Sequence, residues 1–248
     1  MITFDHVTYT YEGQTVPSLR DCSFTVEPGE LILFTGESGC GKTTIIKLIN
    51  GLLQHGGSGT LEGTVTVGGR DVAGAPLWEL AQTVGSVFQN PKSQFFNLDT
   101  TGEVLFGLES RGASQEEMSL ALDSAAQVCG VGPLLDRNIF ALSGGEKQRI
   151  SIARCLLKDA PIVIFDEATA NVDPENEDQL QKAMEALTRE KTVLMIAHRL
   201  KTVRGADQIL VVDQGRVVQK GTHDELIQQA GIYRNFVSER TESSRWTL

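Results

Sequence analysis

The chain has 248 residues, 40% hydrophobic and 22% charged, with 22 Lys and Arg against 32 Asp and Glu for a net charge of −10. At a prior of about 150 residues per domain, this allows one large domain or two small ones, enough chain to bury a core without disulfide or metal staples. No apolar run reaches the roughly 18 residues that a membrane-spanning helix needs, and the acidic balance counts against a nucleic-acid-binding surface.

The start, Met1 to Thr10, lacks the basic flank and apolar stretch of a signal peptide. Cys22, Cys40, Cys129 and Cys155 are far apart, which argues against a zinc knuckle and for reduced thiols. The expectation is a soluble intracellular protein. In chain order, strands are predicted at Ile2–Tyr11, Cys22–Val26, Leu31–Thr35 and Gly63–Val67, with turns at Pro28-Gly29 and Gly68-Gly69. A helix runs from Lys42 to about Leu53, ended by Gly51 and the following glycines. Residues 91–142 read as a helical subdomain, notably Gly102–Ser110 and Ser114–Gly130. Helix Gly145–Lys158, strand Pro161–Phe165, helix Pro174–Glu190 and strand Thr192–Ile196 then alternate. Strand Gln208–Asp213, a hairpin to Arg216–Gln219, and helices Asp224–Ala230 and Ile232–Arg240 close the chain. Such alternation implies an α/β fold with a mainly parallel sheet, preceded by a strand-rich antiparallel β subdomain. The whole of 1–248 is expected to be one domain with subdomains.

The strongest chemical signal is Gly36-Glu37-Ser38-Gly39-Cys40-Gly41-Lys42-Thr43, followed by Thr44, between an apolar strand and a helix. This is the G-x-x-x-x-G-K-[ST] phosphate loop in its confirming context. Its backbone N–H groups and the helix start would cradle a polyphosphate. Lys42 would reach the β- and γ-phosphates, and Thr43 would offer a hydroxyl to Mg²⁺. Next, the apolar run after Pro161 ends in Asp166-Glu167, a buried strand delivering two acids to the sheet edge where ligands bind. Asp166 would hold Mg²⁺ and Glu167 would activate water as general base. Alone, the pair also fits a helix-capping acid with a solvated neighbour. Third, Leu142-Ser143-Gly144-Gly145-Glu146-Lys147-Gln148-Arg149 opens a helix. Its hydroxyl and N–H groups suit a second anion, although Ser143 and Glu146 also have plain capping-box spacing.

With these strings, the chain resembles the nucleotide-binding subunit of an ATP-binding cassette (ABC) transporter over essentially its whole length. The family's remaining motifs occur in order. The resemblance implies a P-loop NTPase with a RecA-like core, an inserted helical subdomain, and ATP with Mg²⁺ as ligands. It makes Tyr11 the aromatic that stacks on adenine, with Tyr9 its rival. Gln89 becomes the glutamine that touches Mg²⁺ and water, Asp173 the acid of the loop facing the dimer, and His198 the histidine at the γ-phosphate. A lone glutamine is otherwise surface and His198 otherwise a cap. His223 reads as helix-start surface, and Cys40 as a structural member of the loop.

In this family the phosphate loop of one subunit and the serine of the other sandwich each ATP head to tail. The implied partners are a second ATPase subunit, identical or a related paralogue, and transmembrane permease subunits, with no nucleic acid. The implied location is cytoplasmic, peripheral on the inner face of the membrane. The two halves resemble different branches. Gln89-Asn-Pro-Lys-Ser-Gln-Phe-Phe96 with Leu98-Asp99-Thr100 is similar to energy-coupling-factor importer ATPases, and a free Met1 fits a subunit separate from its permease. Asp166-Glu167-Ala168-Thr169, Ile196-Ala197-His198-Arg199-Leu200 and the stretch Ala206 to His223 are similar to exporter ATPases. A crossover near residues 150–156 would join them, as a natural mixed subfamily, a recombined or engineered chain, or a chance blend. Competing readings are a soluble ABC ATPase acting on DNA or ribosomes, disfavoured by the acidic balance and the absence of sustained heptads, and a nucleotide-binding regulator without turnover.

Overall fold

The chain alternates along much of its length between residues that fit a pleated apolar face and residues that fit an amphipathic helix, and the elements follow that alternation. The structure is a computed structural model that describes residues 1–56, 59–166, 174–196 and 205–245, without side chains for 174–177 and 239–245. It divides into two compact units, Met1–Val84 with Thr192–Leu248, and Gly85–Lys191.

In the first unit, strands β1 (Ile2–Tyr11), β2 (Leu19–Val26), β4 (Gly59–Val67) and β5 (Arg70–Asp71) form a four-stranded sheet in the order β2-β1-β4-β5. Its pairings are antiparallel, with Ile2 opposite Val26 and Val67. A second sheet carries β3 (Leu31–Thr35) between β8 (Thr192–Ile196) and β9 (Gln208–Asp213), both parallel to it, with β10 (Arg216–Gly221) antiparallel to β9. β3 and β8 are almost wholly buried, which explains their unbroken apolar runs, since a parallel strand is covered on both faces. Phe24 joins the two sheets: it stacks on Phe4 at 4.4 Å and meets Phe34 edge-on at 5.8 Å.

The helix expected over Lys42 to Leu53 is two helices, α1 (Lys42–Ile49) and α2 (Leu52–His55). Gly51 interrupts them in the left-handed conformation at φ 72°. Gly51 is thus a break that the chain resumes past as a helix, because Leu53 beyond it is buried as the apolar residues of α1 are. α1 buries Ile45, Ile46, Leu48 and Ile49 completely, each contributing about 1.5–3 kcal/mol by area, so the helix start that follows the phosphate loop is firmly anchored. α3 (Leu77–Thr83) and β6 (Val84–Val87) were not anticipated. The C-terminal helices are α8 (His223–Gln228) and α9 (Ile232–Arg245). His223 is more than surface: its Nδ1 lies 2.6 Å from the hydroxyl of the buried Tyr233.

In the second unit, β6 neighbours β7 (Ile162–Asp166). Helices α4 (Thr100–Ser110), α5 (Gln115–Cys129), α6 (Gly144–Lys158) and α7 (Pro174–Thr188) pack on one another. Asp99 caps α4, and Ser114 and Ser143 cap α5 and α6 with full reciprocal boxes. Between residues 91 and 142 the regular elements are α4, α5 and short 3₁₀ turns at Pro91–Gln94, Gly132–Leu134 and Ile139–Ala141, joined by irregular segments. No helix among the described residues is long and apolar enough to cross a membrane.

Candidate functional site

In the first unit, β3 delivers the chain into Gly36–Gly41 and α1 takes it away. Gly36 has φ +141°, and a Cβ there would lie 2.0 Å from the carbonyl oxygen of Val212, so no other residue fits against β9. Gly39 has φ +79° with nothing within 4 Å of its would-be Cβ, an open place above the loop. Glu37, Ser38 and Gly39 are exposed, Cys40 is buried, and Gly41 is the N-cap of α1. No side chain caps this helix, and among the described residues no acceptor takes the N–H groups of Lys42, Thr43 and Thr44. Three convergent amides without partners at a helix start suit a multiply charged anion.

Lys42 is folded over that loop. Its ammonium donates to the carbonyl oxygens of Gly36 at 2.8 Å and Glu37 at 2.7 Å, and lies 3.4 Å from Cys40 Sγ. The side chain is 8% exposed, so its charge is held at the loop rather than dispersed in solvent. Thr43 is exposed, and its hydroxyl could meet a ligand, whereas Thr44 is buried. The Thr44 hydroxyl lies 3.2 Å from the Tyr11 hydroxyl. This contact ties the aromatic at the end of β1 to the phosphate loop helix, and no residue spacing predicts it, since the two are 33 residues apart. Tyr9 is 2% exposed and packs edge-on against Tyr11 at 5.0 Å. Of the two tyrosines, only Tyr11 keeps part of its ring open.

In the second unit, Ser143 is exposed at the start of α6. Its hydroxyl accepts from the N–H of Glu146 at 3.2 Å, and the Glu146 carboxylate accepts from the N–H of Ser143 at 2.7 Å. The capping box and an exposed hydroxyl are therefore both present, and they are compatible because a hydroxyl oxygen that accepts can still donate its proton outward. The Ser143 N–H holds the Glu146 carboxyl below the usual glutamate range. Gly144 is exposed and Gly145 buried. Beneath the turn, Lys147 is buried and donates to the carbonyls of Leu142 and Phe140, and loss of hydration lowers its ammonium from the usual lysine value.

Gln89 is exposed, two residues beyond β6. Asp166 ends β7, half-buried where Ile162 to Phe165 are buried. Thr43, Gln89 and Asp166 all carry oxygen donors, the ligand type that Mg²⁺ prefers. Glu167, Asp173 and His198 lie outside the described residues, as do all of 167–173 and 197–204, whereas the exporter-like stretch Ala206 to His223 is described. Sequence reasoning passed over the Glu103–Arg154 ion pair, whose members are 51 residues apart.

The ABC transporter family pattern matches residues 19–170. Among known proteins, the energy-coupling factor transporter ATP-binding protein EcfA1 of Lactobacillus delbrueckii subsp. bulgaricus is 37% identical over 228 residues, which cover 91% of this chain and 80% of that protein. The ATP-dependent lipid A-core flippase of Xanthomonas oryzae pv. oryzae is 40% identical over 239 residues, 94% of this chain but 39% of the flippase. Among solved structures, a bacterial Atm1-family ABC exporter with ATP bound has a TM-score of 0.81 and 32% identity, covering 96% of this chain and 41% of the exporter. The chain thus spans about two fifths of these longer relatives. Both kinds of relative align along more than nine tenths of the chain, so importer and exporter types are not separated. The chain belongs to the ABC transporter family, as an ATP-binding, ATP-hydrolysing domain of that family.

Proposed function

We propose that this protein powers a membrane transporter by closing head to tail on a second ATPase subunit around two ATP molecules and opening when they are hydrolysed. The observation that carries the reading is that one chain presents two anion-facing helix starts. One is the Lys42 loop, with three amides lacking protein acceptors among the described residues. The other is the exposed, reciprocally capped Ser143. In a head-to-tail pair, each would face the same triphosphate from opposite sides.

In this reading, Tyr11 stacks on adenine, and the amides of residues 39 to 44 hold the β- and γ-phosphates. Lys42 exchanges its bonds to the Gly36 and Glu37 carbonyls for phosphate oxygens. Thr43, Gln89 and Asp166 would hold Mg²⁺, which when bound neutralises charge on the β- and γ-phosphates. Glu167 takes the proton from the attacking water, His198 steadies the γ-phosphate, and Asp173 reports across the pair. Ser143 and the α6 start, from the partner subunit, donate to the γ-phosphate. ATP then adds contacts that only the closed state makes, as a ligand-driven switch requires.

The permease is expected to dock on the helical subdomain, with the ATPase at the cytoplasmic face of the membrane. An energy-coupling importer is the favoured system, supported by the Gln89–Phe96 segment and by coverage of most of EcfA1. The alternative, an exporter, draws its support from the match to the Atm1-family exporter, of whose chain this region covers 41%.

The experiment is light scattering on the Glu167→Gln variant, with and without Mg-ATP, beside Lys42→Ala. The expected result is a doubling of mass for Glu167→Gln only when ATP is present, without phosphate release, and no response from Lys42→Ala. Hydrolysis by Glu167→Gln at the parent rate would refute the base assignment, and an ATP-loaded monomer would refute pairing by the isolated chain.

A further inference from the structure

The segment from Phe88 to Asn97 bears Gln89 and has little structure of its own. β6 stops at Val87, and the only regular element is the 3₁₀ turn Pro91–Gln94, capped by the Asn90 side chain. A residue that must orient a reacting water needs placement far finer than a free loop gives. Three side chains fasten this segment. Gln148 donates to the carbonyl of Phe88 at 3.2 Å. Arg154 donates to the carbonyl of Gln94 at 2.7 Å and forms an ion pair with Glu103. The other oxygen of Glu103 accepts the N–H groups of Phe96 at 2.8 Å and Asn97 at 2.9 Å.

Gln148 and Arg154 both belong to α6, the helix whose first turn presents Ser143. Glu103 is completely buried in α4, and Arg154 is 17% exposed. Burying such a pair is a poor way to gain stability, because apolar residues of similar size commonly do as well. A planar guanidinium does something that apolar residues cannot. It grips a carbonyl and a carboxylate in one fixed fork, and the carboxylate in turn holds two consecutive amides.

We propose that Gln148, Arg154 and Glu103 are positioning residues that join the Gln89 segment to α6, so that Gln89 and Ser143 move as one part. Gln89 faces the nucleotide of its own subunit and Ser143 that of the partner subunit, so the clamp ties the two ATP sites of the pair together. The inference rests on the reading that Gln89 meets Mg²⁺ and the water at one ATP and Ser143 meets the γ-phosphate of the other. The clamp touches no nucleotide itself. Its loss therefore acts on turnover and leaves ATP binding at the phosphate loop alone.

The test is the full chain carrying Glu103→Gln with Arg154→Met, which removes both charges together. Measurements are the melting temperature, the affinity for a fluorescent ATP analogue, kcat and KM for ATP, and amide exchange over residues 88–97. The expected result is a folded protein that binds the analogue within about twofold of the parent, with kcat down about tenfold and KM little changed. Exchange at Phe96 and Asn97 should rise about tenfold as the segment loosens. Arg154→Lys, which keeps the charge without the fork, should fall between the two. A folded double variant with parental kcat and parental exchange overturns the proposal. So does a loss of affinity, kcat and melting temperature in parallel, which is what a merely structural role produces. If the double variant does not fold, Gln148→Met, which removes one neutral hydrogen bond, is read by the same split. A parent chain with no ATP turnover would sink the functional reading, and the exchange measurement would still decide the clamp.

Discussion

Three glycines in positive-φ backbone separate the cost of folding from the cost of binding. Gly39 and Gly69 have nearly the same conformation, φ +79° and +80°, and neither would-be Cβ meets an atom within 4 Å. Alanine at either position carries the same left-handed penalty, about 1–2 kcal/mol. For a chain of this size that lowers the melting temperature by about 2–8 °C. Gly36 is different, because its Cβ would stand 2.0 Å from a backbone oxygen of β9. The strand or the loop must then shift by about 1 Å, which adds about 1–3 kcal/mol of overpacking to the strain at φ +141°.

The expected order in calorimetric melts is parent first, Gly69→Ala and Gly39→Ala together, and Gly36→Ala last. ATP affinity should follow another order. Gly69→Ala, in the turn between β4 and β5, should bind as the parent does. Gly39→Ala places a methyl in the open place above the phosphate loop and should lose at least about tenfold, or 1.4 kcal/mol. A Gly39→Ala variant that binds ATP like Gly69→Ala would show that the triphosphate does not occupy that place, and the derivation of the loop would be wrong.

Other predictions test the cap, the acids and the thiols. Ser143→Ala should lose about 1 kcal/mol with its cap, whereas Ser143→Asp should keep the parental melting temperature and abolish ATP-driven pairing by repelling phosphate. The carboxyls of Glu117, Glu146 and Glu225 each accept a backbone N–H from their cap residue and sit below the ordinary value of 4.5. Their folded forms favour the ionised acid, so the stability they contribute is present above pH 4.5 and lost as pH falls through the lower folded values. Replacing all three with Gln should flatten the acid limb of a stability–pH curve, and an unchanged limb would refute this. Burial pushes the Cys129 and Cys155 thiols up to about 12 and about 11. A thiol reagent at about pH 8 should spare both in the native protein and reach all four cysteines after denaturation.

What could be read from the chain divides by the range of the interaction behind it. The phosphate loop is local, since its glycines, lysine and hydroxyls are consecutive and the strand before it is a plain apolar run. Its boundary at Thr35 and Lys42 therefore emerges from residues alone. The Ser143 box is local for the same reason. The family resemblance picks Tyr11 over Tyr9, but residue pattern alone does not separate them, because a strand period of two puts both on one face. Burial of one and partial exposure of the other depend on the packing around them. α3 was missed because its face is weak: Leu80 is buried, but Leu77 and Trp78 are exposed.

Glu103 is the most instructive failure. In the run Thr101 to Leu108 a glutamate reads as the polar side of an amphipathic helix, yet it is among the most buried residues of the chain. A buried carboxylate needs its partners within hydrogen-bond reach. Those partners are the amides of Phe96 and Asn97 and the guanidinium of Arg154. No periodicity links a helix position to a loop backbone and to an arginine on another helix. Spacing reveals the consecutive groups of the phosphate loop, because one tight turn must gather them. The groups that hold the Gln89 segment in register are gathered only by the fold, which is why turnover and binding should come apart at Glu103 and Arg154 and fall together at Lys42.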